Sequence, residues 1–258
     1  MIAKNLVLVF AFLSFTASQA NSEKRDFYQI KIYLLKNDDQ VKLVDLYLQN
    51  TYLPALHRAG IKNIGVFKPI ANDTAANKYI YVFIPFTSMV QWMKLPHALE
   101  KDAAYKQAAK SFISAGSAHP PYDRLESILL EAFSAQPLLL LPPAKNAERV
   151  FELRSYESPT ENLQEKKIAM FNTGGEIPIF NRLGFNPVFY GRVLCGSRMP
   201  NFMYMPVFES MQQREAQWKK FGNDAAWKDI STRPENENNV SVSHIDSILF
   251  LSASYSDF

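Results

Sequence analysis

Tyr28-Gln29-Ile30-Lys31-Ile32-Tyr33 and Phe151-Glu152-Leu153-Arg154-Ser155-Tyr156 are the two stretches on which the fold turns. Aligned at an offset of 123, they pair an aromatic, an amide or carboxylate, an aliphatic, a basic residue and a closing tyrosine. Both read as β-strands opening a unit. Working outward, Pro54, Arg58 and Gly60 align with Pro178, Arg182 and Gly184 at 124, and Phe86, Ser88 and Met89 with Phe208, Ser210 and Met211 at 122. Asp102-Ala103-Ala104-Tyr105-Lys106 aligns with Asp224-Ala225-Ala226-Trp227-Lys228 at 122, and Ser127-Ile128-Leu129 with Ser247-Ile248-Leu249 at 120. One such match arises by chance. Several in the same order, at offsets drifting by a few residues that loops absorb at small cost, point to one unit used twice.

Each unit reads βαββαβ. In the first, a strand at 27–35 precedes apolar residues at helical spacing from Val41 to Leu56, ended by Gly60 as a C-terminal cap. Strands at 63–70 and 78–86 flank a turn at Asn72 and Asp73. A helix starts near Ser88, breaks about Pro96 and resumes after Asp102, and a strand at 124–133 closes the unit. The second unit repeats this as strand 150–157, helix 161–183, strands 186–194 and 201–209, helix 210–230 and strand 243–253, with 231–239 a loop. Pro137, Pro142 and Pro143 make 134–149 a linker. The expected domains are therefore 26–133 and 150–254. A βαββαβ unit has a four-stranded antiparallel sheet with both helices on one face. Strand 79–86 is apolar on both sides, so the open sheet faces should cover one another. The expected class is α+β: two tandem ferredoxin-like units forming a pseudo-dimeric barrel within one chain.

Lys4, the apolar run from Leu6 to Phe15 and the small residues of Ser18-Gln19-Ala20 have the form of a cleaved signal peptide at 1–20, which implies an exported, periplasmic or secreted protein with no membrane span left after cleavage. An uncleaved anchor is the alternative. A formal charge of +3 over 258 residues, with basic and acidic groups interleaved, lacks the field that gathers nucleic acid. Cys195 is the only cysteine, so no intrachain disulfide or thiolate metal site can form, and it is expected as a buried structural thiol. His57, His97, His119 and His244 are scattered without ligand spacing, and no metal is expected. No glycine-rich phosphate loop, nucleophile elbow or paired catalytic carboxylate motif occurs, which argues against nucleotide enzymes and common hydrolases.

The opening Phe151–Tyr156 strand and the tryptophan-bearing helix leading into Asp224–Lys228 resemble the NIPSNAP family, within the wider dimeric α+β barrel group. The resemblance covers residues 27–133 and 150–254; in the first half Gln29 and Lys31 stand where the pattern has Glu and Arg. It implies the barrel fold and little chemistry, because the family's biochemical activity is not established. The fold group includes cofactor-independent monooxygenases, haem-degrading enzymes and small-molecule binders, whose ligands sit in a cavity beside the sheet.

The candidate ligand-binding residues are Glu152, Arg154 and Tyr156 with their counterparts Gln29, Lys31 and Tyr33. If this row looks into the barrel, Arg154 could hold an anionic or carbonyl-bearing ligand with Tyr156 as donor or acid. The alternative is a partly wet strand face whose charges pair across strands. Trp92 and Trp218 read as core aromatics that could line a pocket mouth. His57 is a candidate general base, although Asn181 aligns with it; Asp102 and Asp224 read as helix N-caps. The reading that follows is a small-molecule binder for apolar or weakly acidic ligands, needing no cofactor. The alternatives are a cofactor-independent oxygenase or isomerase using His57, Tyr156 or Arg154, and a structural protein that assembles as a homo-oligomer.

Overall fold

The computed structural model describes residues 24–258 except Lys145, so the signal-peptide assignment at 1–20 lies outside the described residues. β1 (Phe27–Leu35) leads into α1 (Asp38–Tyr47), which continues through a π turn at Leu48–Tyr52 into α2 (Leu53–Arg58). β2 (Gly65–Pro69), β3 (Lys78–Phe86), α3 (Met89–Lys101), α4 (Ala103–Ile113) and β4 (Arg124–Ala132) complete the first unit. The second runs β5 (Val150–Glu157), α5 (Glu161–Asn172), α6 (Glu176–Arg182), β6 (Tyr190–Cys195), β7 (Asn201–Tyr204), β8 (Val207–Phe208), α7 (Met211–Asn223), α8 (Ala225–Ser231), α9 (Asn238–Ser241) and β9 (His244–Ser252).

The residues that match between halves do matching jobs. Ser88 caps α3 by accepting from Gln91 N at 3.2 Å, while Gln91 Oε1 accepts from Thr87 N; Ser210 and Gln213 repeat this at α7, with Glu209 N as the second donor. Asp102 caps α4 through Tyr105 N and accepts from Arg58 Nε at 2.8 Å; Asp224 caps α8 through Trp227 N and accepts from Arg182 Nη2 at 2.9 Å. Gly60 and Gly184 end the preceding helices at φ 81° and 79°, a conformation costly for any residue with a Cβ.

Element boundaries differ from the sequence reading for local reasons. The helix expected at 161–183 is split by Gly174 and Gly175; Gly175 has φ 101°, and a Cβ on Gly174 would lie 2.7 Å from the Met170 backbone. Pro96 does not interrupt α3, which runs through it to Lys101. The strand expected at 201–209 is broken at Met205-Pro206, since Pro206 has no N–H to give the ladder. The 231–239 loop contains a short helical turn at Pro234–Asn236 and the start of α9. Cys195, expected buried, is exposed at the end of β6, because the strand leaves the core there for the 196–200 loop.

The strands form one closed ring in the order β4-β1-β3-β2-β9-β5-β7-β6, every neighbouring pair antiparallel. Each half supplies four adjacent strands, and β2–β9 and β4–β6 join them, so closure leaves no open edge in the ring. Alternation gives each strand an inner and an outer face. Outer faces pack under helices in two separate cores, one holding Tyr33, Leu56, Ile80 and Phe112, the other Tyr156, Phe171, Phe180 and Phe221. Inner faces form a third core in the barrel.

The barrel core is filled unevenly. Toward the β1 start, Tyr28, Phe67, Phe83, Phe151, Phe189 and Phe258 pack ring against ring, with centroids 4.8 Å apart for Phe67–Phe151 and 5.0 Å for Phe83–Phe189. Gly65 makes this possible, since a Cβ there would run into the Phe67 ring. Burying each such ring is worth roughly 2 to 3 kcal/mol. Toward the other end no such layer of phenylalanines fills the interior and the barrel opens.

Candidate functional site

At the end where β1 and β5 finish and β4 and β9 begin, the barrel holds a cavity of about 570 Å³. Its wall is mostly apolar, from Ile32 and Leu34 of β1, Tyr79 and Tyr81 of β3, Ile128 of β4 and Leu153 of β5. The register explains this: these are inner-face positions two residues apart, one layer above the packed rings. Polar groups gather at the mouth, where Glu126 of β4, Asp246 of β9, and Arg198 of the β6–β7 loop line the opening. Asn72, in the β2–β3 loop, also lines the cavity; its Oδ1 accepts from Tyr79 N at 2.7 Å, and its buried Nδ2 has no partner.

The mouth is electrostatically uneven. Arg198, at φ 63°, sets its Nη1 against Asp246 and 3.4 Å from Glu157 Oε1. His244 Nε2 lies 2.9 Å from Asp246 Oδ1. Glu157, His244 and Asp246 bring one ligand atom each within 4.8 Å of one another, a donor set suited to a divalent cation that spacing alone did not reveal. Glu157 and His244 are cross-strand neighbours and Asp246 is two residues on, so all three share the inner face. The guanidinium already supplies positive charge to two of these three groups. Burial, then nearby Tyr79, Glu126 and Asp246, push the Tyr81 hydroxyl well above the ordinary phenol range, with Arg198 opposing.

The polar row, a ligand site only if it looked into the barrel, faces the helices instead. Tyr28, Ile30 and Ile32 look inward, as do Phe151 and Leu153, which turns Gln29, Lys31 and Tyr33 and Glu152, Arg154 and Tyr156 toward the helices. Glu152 is 0% exposed and accepts from Arg154 Nη1 at 2.7 Å, Arg214 Nε at 2.6 Å, Trp218 Nε1 at 2.8 Å and Ser247 Oγ at 2.7 Å. Burial alone would raise its carboxyl, but the donors from Arg214, Ser247, Trp218 and Arg154 outweigh it and hold Glu152 below the usual carboxylate range. Arg154 lies 4.8 Å from the Trp218 ring and donates to Tyr156 Oη at 3.0 Å; Tyr156 and Tyr204 hydroxyls are 3.4 Å apart. Deeper in the same layer burial raises the Glu176 carboxyl, and the Glu176 Oε2 and Tyr190 hydroxyl lack partners.

Among the described residues the first half has no such network. Lys31 donates to Tyr52 Oη at 3.4 Å and stands over that ring at 4.7 Å, and burial lowers its pKa to about 8. Tyr33 is core, edge-on to Tyr122 at 5.5 Å. Trp92 packs on the first helix-side core and Trp218 on the second, so neither reaches the mouth. His57 sits at the far end of the barrel, bonded to Asp257 Oδ2 at 2.9 Å, where the same oxygen accepts from Ile64 N. It ties down the C-terminal segment. The structure thus brings together none of the expected residues at the cavity. Those that do line it were legible in one respect: Glu126 and Asp246 align at the same offset of 120 as the Ser-Ile-Leu match that follows them.

These two units sharing one closed ring define a dimeric α+β barrel fold within a single chain. The same fold occurs in a protein described as a "putative monooxygenase" from Fusobacterium nucleatum subsp. nucleatum (TM-score 0.60, 10% identity, 89% of this chain and 93% of that one). It recurs in another so described from Lactobacillus acidophilus (0.57, 9%, 89% and 94%) and in an anthrone oxidase-like protein (0.53, 11%, 90% and 92%). Residues 151–257, the second half of the chain, match the profile of the NIPSNAP family. No curated protein matches the chain. Among the described residues no helix is long and apolar enough to cross a membrane.

Proposed function

We propose that the protein binds a small organic molecule with a largely apolar body in the open end of its barrel. The observation that carries this is the cavity of about 570 Å³ above a fully packed ring layer, apolar in its walls and polar only at its mouth. That is the composition of a ligand pocket, in which a few polar groups fix orientation. The first half, which repeats the residue pattern of the NIPSNAP half, is read as a diverged second copy of the same unit, and the leader-like 1–20 segment supports export.

The test is native mass spectrometry of the purified protein with a thermal-shift screen. A ligand at about 100 times its Kd should stabilise by about 2.7 kcal/mol. Ile248→Trp, which fills the cavity from β9, should abolish that shift. No bound species and no stabiliser would sink the reading.

A second reading, a cofactor-independent oxygenase or isomerase, is supported by Arg154, Tyr156 and Tyr204 meeting beneath the helices, and by the oxygenation chemistry in the names of structurally similar proteins. It requires Tyr156→Phe to cut turnover of a discovered substrate at least tenfold; unchanged turnover would exclude that role.

A further inference from the structure

We propose that the barrel cavity selects an organic cation: an apolar body in the barrel, with a protonated amine or quaternary nitrogen at the mouth between Glu126 and Tyr81. This rests on the cavity being a ligand site and adds the charge of what enters it.

Glu126 and Asp246 occupy equivalent places on β4 and β9, one from each half, and both line the mouth. Their situations differ. Asp246 is in direct contact with Arg198 and His244, whereas Glu126 feels Arg198 only at longer range and makes no ion pair or hydrogen bond among the described residues. Glu126, Glu157 and Asp246 put three carboxylates on this rim against Arg198 and the exposed Arg124, two residues before Glu126 on the same face. Of the charged side chains that line the cavity itself, two are carboxylates, Glu126 and Asp246, against one guanidinium, Arg198, and Glu126 is the one without an ion pair among the described residues. A carboxylic acid would have to draw Arg198 away from Asp246 and Glu157 and then sit beside Glu126. The weakly acidic ligand expected from the sequence is therefore disfavoured.

A second observation points the same way. Tyr81 is 7% exposed, lines the cavity and lies close enough to Glu126 and Asp246 for both to disfavour its ionisation, yet its hydroxyl makes no hydrogen bond among the described residues. The hydroxyl can accept from an ammonium while lying beside a carboxylate that has no ion pair among the described residues. The Tyr79 and Tyr81 rings, with centroids 6.2 Å apart, add faces that attract a cation in a partly desolvated site. Carboxylates over low-dielectric walls also focus field toward the mouth and concentrate cations there.

The experiment compares three fluorescent probes of one shape, 1-naphthylmethylamine, 1-naphthalenemethanol and 1-naphthylacetic acid, by titration at neutral pH and low salt. The amine should bind at least tenfold tighter than the alcohol, and the acid weakest. Glu126→Gln, at an exposed position, should cost the amine about tenfold and leave the alcohol unchanged, and added salt should shrink the preference in the unaltered protein. Ile248→Trp should remove amine and alcohol binding alike. Equal affinity for amine and alcohol, or tighter binding of the acid, would overturn the cation assignment while leaving the cavity as a ligand site. Binding by none of the three would bring down both.

Discussion

The two halves open on the same strand and treat its outer face differently. In the second, Glu152 is a buried anion surrounded by two guanidiniums, an indole N–H and a serine hydroxyl. In the first, Gln29 shares one exposed hydrogen bond with Ser127, and Lys31 is left among tyrosines with no acid beside it. One backbone position thus carries either a satisfied buried charge network or a nearly apolar layer. The barrel beneath is the same in both cases, because it depends on the inner face. The outer face is free to diverge so long as its helices diverge with it.

That contrast can be broken from the strong side first. Glu152→Ala leaves the half-buried Arg154 and Arg214 without the anion they share, and should cost about 3 kcal/mol. Thermal unfolding should show this as a Tm lower by roughly 10 °C. Gln29→Ala should fall within about 0.5 kcal/mol of the unaltered protein. Because the folded state holds Glu152 below its ordinary pKa, its contribution is complete above about pH 4.3 and lost as pH falls through the folded value. Acid titration of stability should flatten in Glu152→Ala. Equal losses at Glu152 and Gln29 would erase the contrast.

Next in size is Lys31, where the sign reverses. Its pKa of about 8 lies below the unfolded value near 10.4, so the unfolded chain binds more protons between them and stability rises with pH across that window. Lys31→Met should stabilise by about 1 to 2 kcal/mol at neutral pH, and the gain should fade as pH approaches 10. Urea melts at several pH values would measure it, and a destabilised variant would mean that Lys31 has an anionic partner.

The smallest effects should be equal in the two halves. Ser88→Ala and Ser210→Ala each remove the same N-cap and should each cost about 1 kcal/mol. A large inequality would show that the shared motif serves different purposes. Cys195→Ser should change stability by less than about 0.5 kcal/mol, and the native thiol should react readily with a maleimide, since it is exposed.

Much of the fold was legible because the relevant interactions are local in pattern. Ser88, Asp102 and Gly60 mark helix ends wherever they sit, and each aligned with a twin in the second half that caps the same element. The candidate site was less legible. Glu152, Arg154 and Tyr156 were chosen because polar residues on a strand suggest a ligand, yet their partners are Arg214 and Trp218, 62 and 66 residues from Glu152 along the chain. The carboxylates at the mouth, Glu126 and Asp246, gave a visible signal in their alignment, but nothing in one dimension says that two acids 120 residues apart look across one opening.

By itself the sequence determined most of the order of elements, the matching caps of the two halves and the two-sidedness of each strand, because periodicity and capping act over a few residues. Only the tertiary structure decided which side of each strand faces the barrel. Alternation says that two faces differ and leaves open which one meets helices; α7 settled it by carrying the cation and indole that let a carboxylate be buried on the outer face. With that face committed to the helices, the phenylalanines packed the barrel's lower end, and the open end became the place for a ligand.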